Sequence, residues 1–199
     1  MTSALLVVDV QDSFRQRENW AASSNPRLVE RVSDLVAWSR AEGNPVFWVL
    51  HAEPGTGTVF DPASGHVRLM DGLVPADGEP LLTKTAHNAF ITTNLQRLLT
   101  ERGVTELVVS GIRTEQCCET TARVGSDLGY RVTFVTDATA TTPLPHWDAP
   151  PEASLAEVLA DPRTLRVEDV VARTEYVLAG RFARIATTAE LIGAASAVA

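Results

Sequence analysis

Short apolar runs alternate with stretches of helical periodicity along this chain. Residues 4–10, ALLVVDV, carry no polar alternation before Asp9, the pattern of a parallel strand covered on both faces. Asn25 and Pro26 supply a cap and a first-turn proline, and Leu28, Val32, Leu35, Val36 and Trp38 then recur at mostly helical spacing up to Gly43. A second strand covers residues 45–50. Residues 51–80 are rich in Gly, Pro and Asp without sustained periodicity and read as a long loop, which in a compact domain is more often functional than idle. A short strand, LLTK at 81–84, precedes a helix capped by Thr92 or Thr93 and running through Leu95, Leu98 and Leu99 to Gly103. The next strand, 106–110, ends at Gly111. From about Glu115, Cys117, Thr121, Val124 and Leu128 repeat at helical intervals until Gly129, and a strand follows at 131–136. Pro143, Pro145 and Pro150 make residues 139–150 a loop; residues 151–159 and 167–178 read as helices, 182–187 as a last strand, and a short helix starts at Thr188.

Strands of this length alternating with helices predict one α/β domain over residues 1–199: a three-layer αβα arrangement around a doubly wound, mostly parallel six-stranded sheet. Such sheets gather ligands at the carboxyl ends of their strands. Asp9, Lys84 and the loop 111–117 all fall at that edge.

The composition, 45% hydrophobic and 21% charged, is that of a soluble globular chain able to bury a core. A formal net charge of -8 without any basic run argues against a nucleic-acid partner, since phosphate backbones are held by clustered Lys and Arg. The first fourteen residues lack a basic leader and a small-residue cleavage site, and no stretch approaches the ~18 to 20 apolar residues that span a bilayer. The expectation is a cytoplasmic protein, with no membrane association, that keeps Cys117 and Cys118 as thiols.

Cys117 lies six residues after Gly111, near the start of a helix, where unpaired N–H groups and the helix dipole favour a thiolate and can hold a developing oxyanion. A small buried hydrophobe is the equally open alternative for Cys117, and it suits Cys118 better. Asp9 ends an apolar strand, where an ionised carboxylate requires a partner. Lys84 supplies one, either as part of a catalytic cluster with the thiol or as an ordinary structural ion pair.

The blocks LLVVDVQDSF (5–14), KTAHNAF (84–90) and ELVVSGIRTEQCCETTARVGSDLGYRVTFVTDAT (106–139) resemble, in order and spacing, the isochorismatase-like cysteine hydrolases, which include nicotinamidases and N-carbamoyl amidases. The resemblance implies a catalytic triad of Asp9, Lys84 and Cys117: Asp9 takes the thiol proton, Lys84 orients and stabilises charge, and Cys117 attacks a carbonyl. It also implies a non-proline cis peptide between Ile112 and Arg113, which turns the backbone N–H groups of Arg113 and Cys117 toward the oxyanion. Cys118 falls where the family usually has a small apolar residue. A homodimer or larger homo-oligomer is implied as well.

Some positions depart from the family's subgroups. Nicotinamidases carry an Asp and His metal cluster after the second strand, whereas this chain reads WVLHAEPGTG, with His51 and no matching aspartate or second histidine. No metal and no cofactor are expected, and His51, His66, His87 and His146 are read as scattered solvent-facing or pocket residues. His87 and Asn88 stand where the family often has Tyr or Arg and Ser. The resulting expectation is a hydrolase of a small-molecule amide, lactam or N-carbamoyl C–N bond, acting through a covalent acyl-enzyme. Its pocket is completed by the loop 51–80 with Phe14, Trp20, Phe90, His146 and Trp147. Two alternatives stay open: an isochorismatase-type ether hydrolase that relies on Asp9 without a covalent step, and a catalytically inactive interaction partner of the same fold. A nucleotide- or flavin-binding module would want glycines after the first strand, and VVDVQDSFRQ has none.

Overall fold

The computed structural model describes residues 2–196. Strands β1 (Thr2–Val8), β2 (Val46–His51), β3 (Leu81–Lys84), β4 (Val104–Ile112), β5 (Arg131–Ala140) and β6 (Arg184–Ala186) form one sheet in the order β3-β2-β1-β4-β5-β6. Every pairing is parallel. The chain winds outward from β1 to β3, returns to β4 beside β1, and winds outward again. The carboxyl ends of β1 and β4 therefore flank the point where the winding reverses, the place where a crevice opens in such sheets.

Alternation along the strands sorts the core into two layers. Leu5 and Val7 of β1 and Val46 and Trp48 of β2 pack with Leu28, Val32, Leu35 and Val36 of α1 (Leu28–Ala41). Ala4, Leu6 and Val8 point the other way, toward Leu95 and Leu99 of α2 (Leu95–Glu101), Ala122 of α3 (Glu119–Asp127) and Leu178 of α5 (Val167–Leu178). The unbroken apolar run of β1 is thus explained by cover on both faces.

Several boundaries differ from the sequence reading for local reasons. Helix α1 begins at Leu28, because Asn25 is used elsewhere: its side chain accepts from the Arg27 amide and donates to the carbonyls of Asp137 and Thr139, pinning the helix entry to β5. The helix expected at 151–159 begins only after Ser154, which forms a reciprocal capping box with Glu157 and opens α4 (Leu155–Ala160). Strand β5 runs to Ala140 rather than 136, since it resumes pairing with β4 after a register jump between Val109 and Gly111. The final helix, α6, spans Thr188–Ser196.

The long loop after β2 is stitched to the segment that follows β1. Met70 donates to the Val10 carbonyl, Asp12 to that of Arg68 and Ser13 to that of His66, and Arg68 pairs with Asp12 at 2.8 Å. These contacts hold the loop over the carboxyl edge of the sheet.

Gly111 sits at the tightest point of that edge. It pairs with Val8, has φ +130°, and a Cβ there would lie 1.8 Å from the Val8 carbonyl oxygen. Gly125 in α3 is close to Leu107 only through the tip of a flexible side chain, 2.9 Å from its Cδ1. Gly111→Ala is therefore expected to lose at least about 3 kcal/mol of stability. Gly125→Ala should stay within about 1 kcal/mol of wild type, because the gain in helix propensity offsets a small side-chain shift. Urea denaturation of the two variants checks this ranking.

Candidate active site

Three strand ends bring the sequence-derived residues together. Asp9 follows β1 directly and is held at φ 54°, a left-handed conformation that Asp tolerates better than most side chains. Lys84 closes β3, two strands away from β1, a separation of about 10 Å across the sheet. Only a long side chain spans that gap, and Lys84 extends past β2 to do so. Its Nζ lies 2.7 Å from Asp9 Oδ2, 3.4 Å from Cys117 Sγ and 3.4 Å from His51 Nδ1. An ammonium has three protons, and each of these three atoms can accept one.

His51, read from sequence as one of the scattered solvent-facing or pocket histidines, is the third of these acceptors. Its Nε2 faces Glu53 Oε1 at 3.4 Å, so the partners assign the proton to Nε2 and leave Nδ1 free to accept from Lys84. Burial and the neighbouring Lys84 charge push its pKa below the usual histidine value, which keeps the ring neutral.

Cys117 enters from the segment Thr114–Cys118, a single π-helical turn that precedes α3, in which the Cys118 amide donates to the Arg113 carbonyl at 3.1 Å. The peptide between Ile112 and Arg113, where β4 ends and this turn begins, is cis. Thr114 is fully buried and ties the turn down: its hydroxyl donates to Thr139 Oγ1 at 2.8 Å, and Thr139 donates in turn to the Thr136 carbonyl. Cys118 is buried in the layer between the sheet and α3.

The electrostatics of the cluster differ from the expectation of a ready thiolate. Burial and then the negative charge of Asp9 push the Cys117 thiol up to about 12, and Lys84 only partly opposes them. Burial also lifts Asp9 above the usual aspartate value despite the adjacent ammonium. Burial pulls Lys84 down, but Asp9 and the thiol more than offset this, so it sits above the ordinary lysine value. The resting arrangement sets the Lys84 ammonium against the Asp9 carboxyl group and a Cys117 thiol held above its usual pKa.

Two residues that sequence reasoning left unassigned shape this edge. The Gln11 side chain is buried, donates to the His51 carbonyl and accepts from the His51 amide at 2.7 Å, so it acts as a short extra rung that fixes the end of β2. Both Gln11 and Thr114 lie inside the quoted blocks, but a buried amide and a buried hydroxyl carry no chemical signature until their partners are known.

The expected lining residues separate. The Phe14 ring is 5.0 Å from Phe60 and 6.2 Å from Trp20, and Phe60 is 5.8 Å from His51, so these aromatics form a wall beside the cluster. Phe90, expected in the pocket, is turned into the core instead, stacked on Tyr130 and packed near Gly125. Trp147 is 88% exposed and lies tilted against His146, which pairs with Asp148 outside the crevice. Among the described residues no group of three His, Cys, Asp or Glu is placed to hold a metal ion, and no helix is long and apolar enough to cross a membrane.

The profile of the isochorismatase domain matches residues 3–157. The chain belongs to the isochorismatase family. Among relatives, the isochorismatase family protein YddQ of Bacillus subtilis is 30% identical over 196 residues, covering 94% of this chain and 97% of that protein. Nicotinamidase 3 of Arabidopsis thaliana is 32% identical over 153 residues, 70% of this chain and 73% of that one. The crystal structure of an isochorismatase family protein from Chromobacterium violaceum superposes with a TM-score of 0.84 over 98% of this chain and 94% of its own, at 24% identity, and so shares the fold. This family membership agrees with the six-stranded parallel sheet and its flanking helices.

The geometry makes Asp9, by charge and by hydrogen bond, a reason that Cys117 stays protonated. In the wild type, alkylation of Cys117 by iodoacetamide should accelerate about tenfold per pH unit through the neutral range with no plateau below pH 10. Asp9→Asn removes both effects and leaves the Lys84 ammonium to pair with the thiolate, so alkylation at pH 7 should become at least about tenfold faster. Mass-resolved labelling rates check this; equal or slower labelling in the variant would show that Asp9 does not control the thiol.

Proposed function

We propose that the protein hydrolyses a small-molecule amide, lactam or N-carbamoyl C–N bond through a covalent acyl-enzyme, with Cys117 as nucleophile, Asp9 as proton shuttle and Lys84 as the charge that holds both. The observation that carries this reading is the single ammonium 2.7 Å from the carboxylate and 3.4 Å from the sulfur, at the carboxyl edge of the sheet. The amide-cleaving activity named for the nicotinamidase relative supports the same class of bond.

The chemistry follows from the resting charges. The thiol is a poor nucleophile while protonated, and its proton already faces a carboxylate whose affinity for protons burial has raised. As sulfur bonds to the carbonyl carbon, that proton passes to Asp9, and the backbone N–H groups of Arg113 and Cys117 receive the oxyanion. Asp9 then returns the proton to the departing nitrogen as the C–N bond breaks, leaving a thioester on Cys117. Water attacks the thioester with Asp9 again as base, releasing the acid and restoring the thiol. Lys84 keeps its charge throughout; its role is to make a carboxylate tolerable in a site sealed from water and to pair with the sulfur as it becomes anionic. We place this activity in the cytoplasm, in a homodimer or larger homo-oligomer, with both cysteines free.

A panel of amides, lactams, carbamoyl compounds and vinyl ethers, assayed for release of ammonia, amine or acid, tests the reading. Turnover should appear with C–N substrates and fall at least about 10³-fold in Cys117→Ala and in Asp9→Asn. Intact-mass analysis of a rapidly quenched reaction should show the acyl adduct on Cys117. Full activity on a vinyl ether in Cys117→Ala would replace this mechanism with a non-covalent one.

A further inference from the structure

A cavity of about 420 Å³ opens next to the nucleophile's turn, and Arg17, Glu18, Arg113, Gln116, Pro143 and Leu144 are among the residues lining it. Arg113 is only 7% exposed, yet among the described residues its guanidinium forms no ion pair and no side-chain hydrogen bond. Arg17 reaches the same cavity with its guanidinium 6.0 Å from the centroid of the Phe60 ring, and among the described residues it too has no carboxylate partner. The ionisable groups that act on Arg113 are Glu115, Arg17 and Cys117. Glu115 does not pair with it, and its own carboxylate oxygens are buried without a hydrogen bond. Glu18, exposed at the rim, is the one anion in the lining against two cations.

The Arg113 side chain is largely buried, but its guanidinium nitrogens open onto this cavity, where its five donors meet no protein acceptor among the described residues and are left for a ligand to use. Burial pulls Arg113 below its ordinary pKa; the Glu115 charge opposes this in part, and the smaller Arg17 contribution adds to it. A planar carboxylate matches such a fork with two parallel hydrogen bonds, and a second guanidinium at the rim adds attraction during entry. We infer that Arg113, assisted by Arg17, forms a carboxylate-binding subsite beside Cys117, so that the substrate is a small amide or carbamoyl compound bearing a carboxylate. The inference rests on the reading of Cys117 as nucleophile and narrows it: the Arg113 backbone serves the reacting carbonyl while its side chain holds the far end of the same molecule.

Alkylation by a matched pair of reagents tests the subsite without depending on turnover. Iodoacetate carries the carboxylate, iodoacetamide is its neutral counterpart, and in both the thiolate displaces iodide. Wild-type Cys117 should react at least about tenfold faster with iodoacetate, with a rate that saturates in reagent concentration. The iodoacetate-to-iodoacetamide ratio should fall about tenfold in Arg113→Met and by a smaller factor in Arg17→Met, an exposed position whose substitution leaves folding intact. A wild-type preference for iodoacetamide overturns the proposal, as does a ratio that neither variant changes. Loss of all amidase turnover in the wild type with the iodoacetate preference intact would instead count against the hydrolytic reading while leaving the subsite standing.

Discussion

A carboxylate and an ammonium, both fully buried, meet at 2.7 Å at the centre of this molecule's functional edge, and much of the local architecture serves to make that possible. Neither charge is tolerable alone in such a place: removing one partner of a buried pair typically costs about 3 to 5 kcal/mol, because the survivor has lost both water and its counter-charge. The pair sets a geometric demand. Asp9 must leave β1 in a left-handed conformation, Gly111 must let β4 approach the Val8 carbonyl, and Lys84 must cross the end of β2 from an edge strand. Gln11 and His51 occupy the space it crosses, one fixing the backbone of β2 and the other accepting the third ammonium proton.

That same pair governs the thiol. A cysteine at a helix start is commonly acidified, but here burial and the charge of the neighbouring Asp9 raise the thiol's pKa by more than the Lys84 ammonium, 3.4 Å away, lowers it. The consequence is a sulfur held protonated at neutral pH. Such a site is guarded against adventitious oxidation and alkylation, since these reactions need the thiolate. Thr114 and the π-helical turn contribute by locking the sulfur's position rather than its charge.

The fold was legible because its causes are local. The two-sided apolar run of β1, the helical repeat from Leu28 to Trp38 and the glycine after α3 each betray their element without reference to anything distant. Boundaries slipped where a side chain serves a remote strand: Asn25 reads as a helix cap, yet two of its hydrogen bonds go to β5, more than a hundred residues away. Phe90 and Trp147 were misplaced for a related reason. An aromatic residue in a loop can face a crevice, a core or solvent with equal local justification, and only packing chooses among them.

Sequence by itself determined the chemical inventory of this protein: one charged residue at the end of an apolar strand, one lysine at the end of another, a cysteine after a glycine-ended strand, and the alternation that sends all three to one edge. Those are properties of residue type and period. Tertiary structure decided how the charges act on one another: why the thiol is held protonated, and why, among the described residues, Arg113 meets no carboxylate. Electrostatic energies depend on distance and on exclusion of water, and the chain defines neither until it has closed around them.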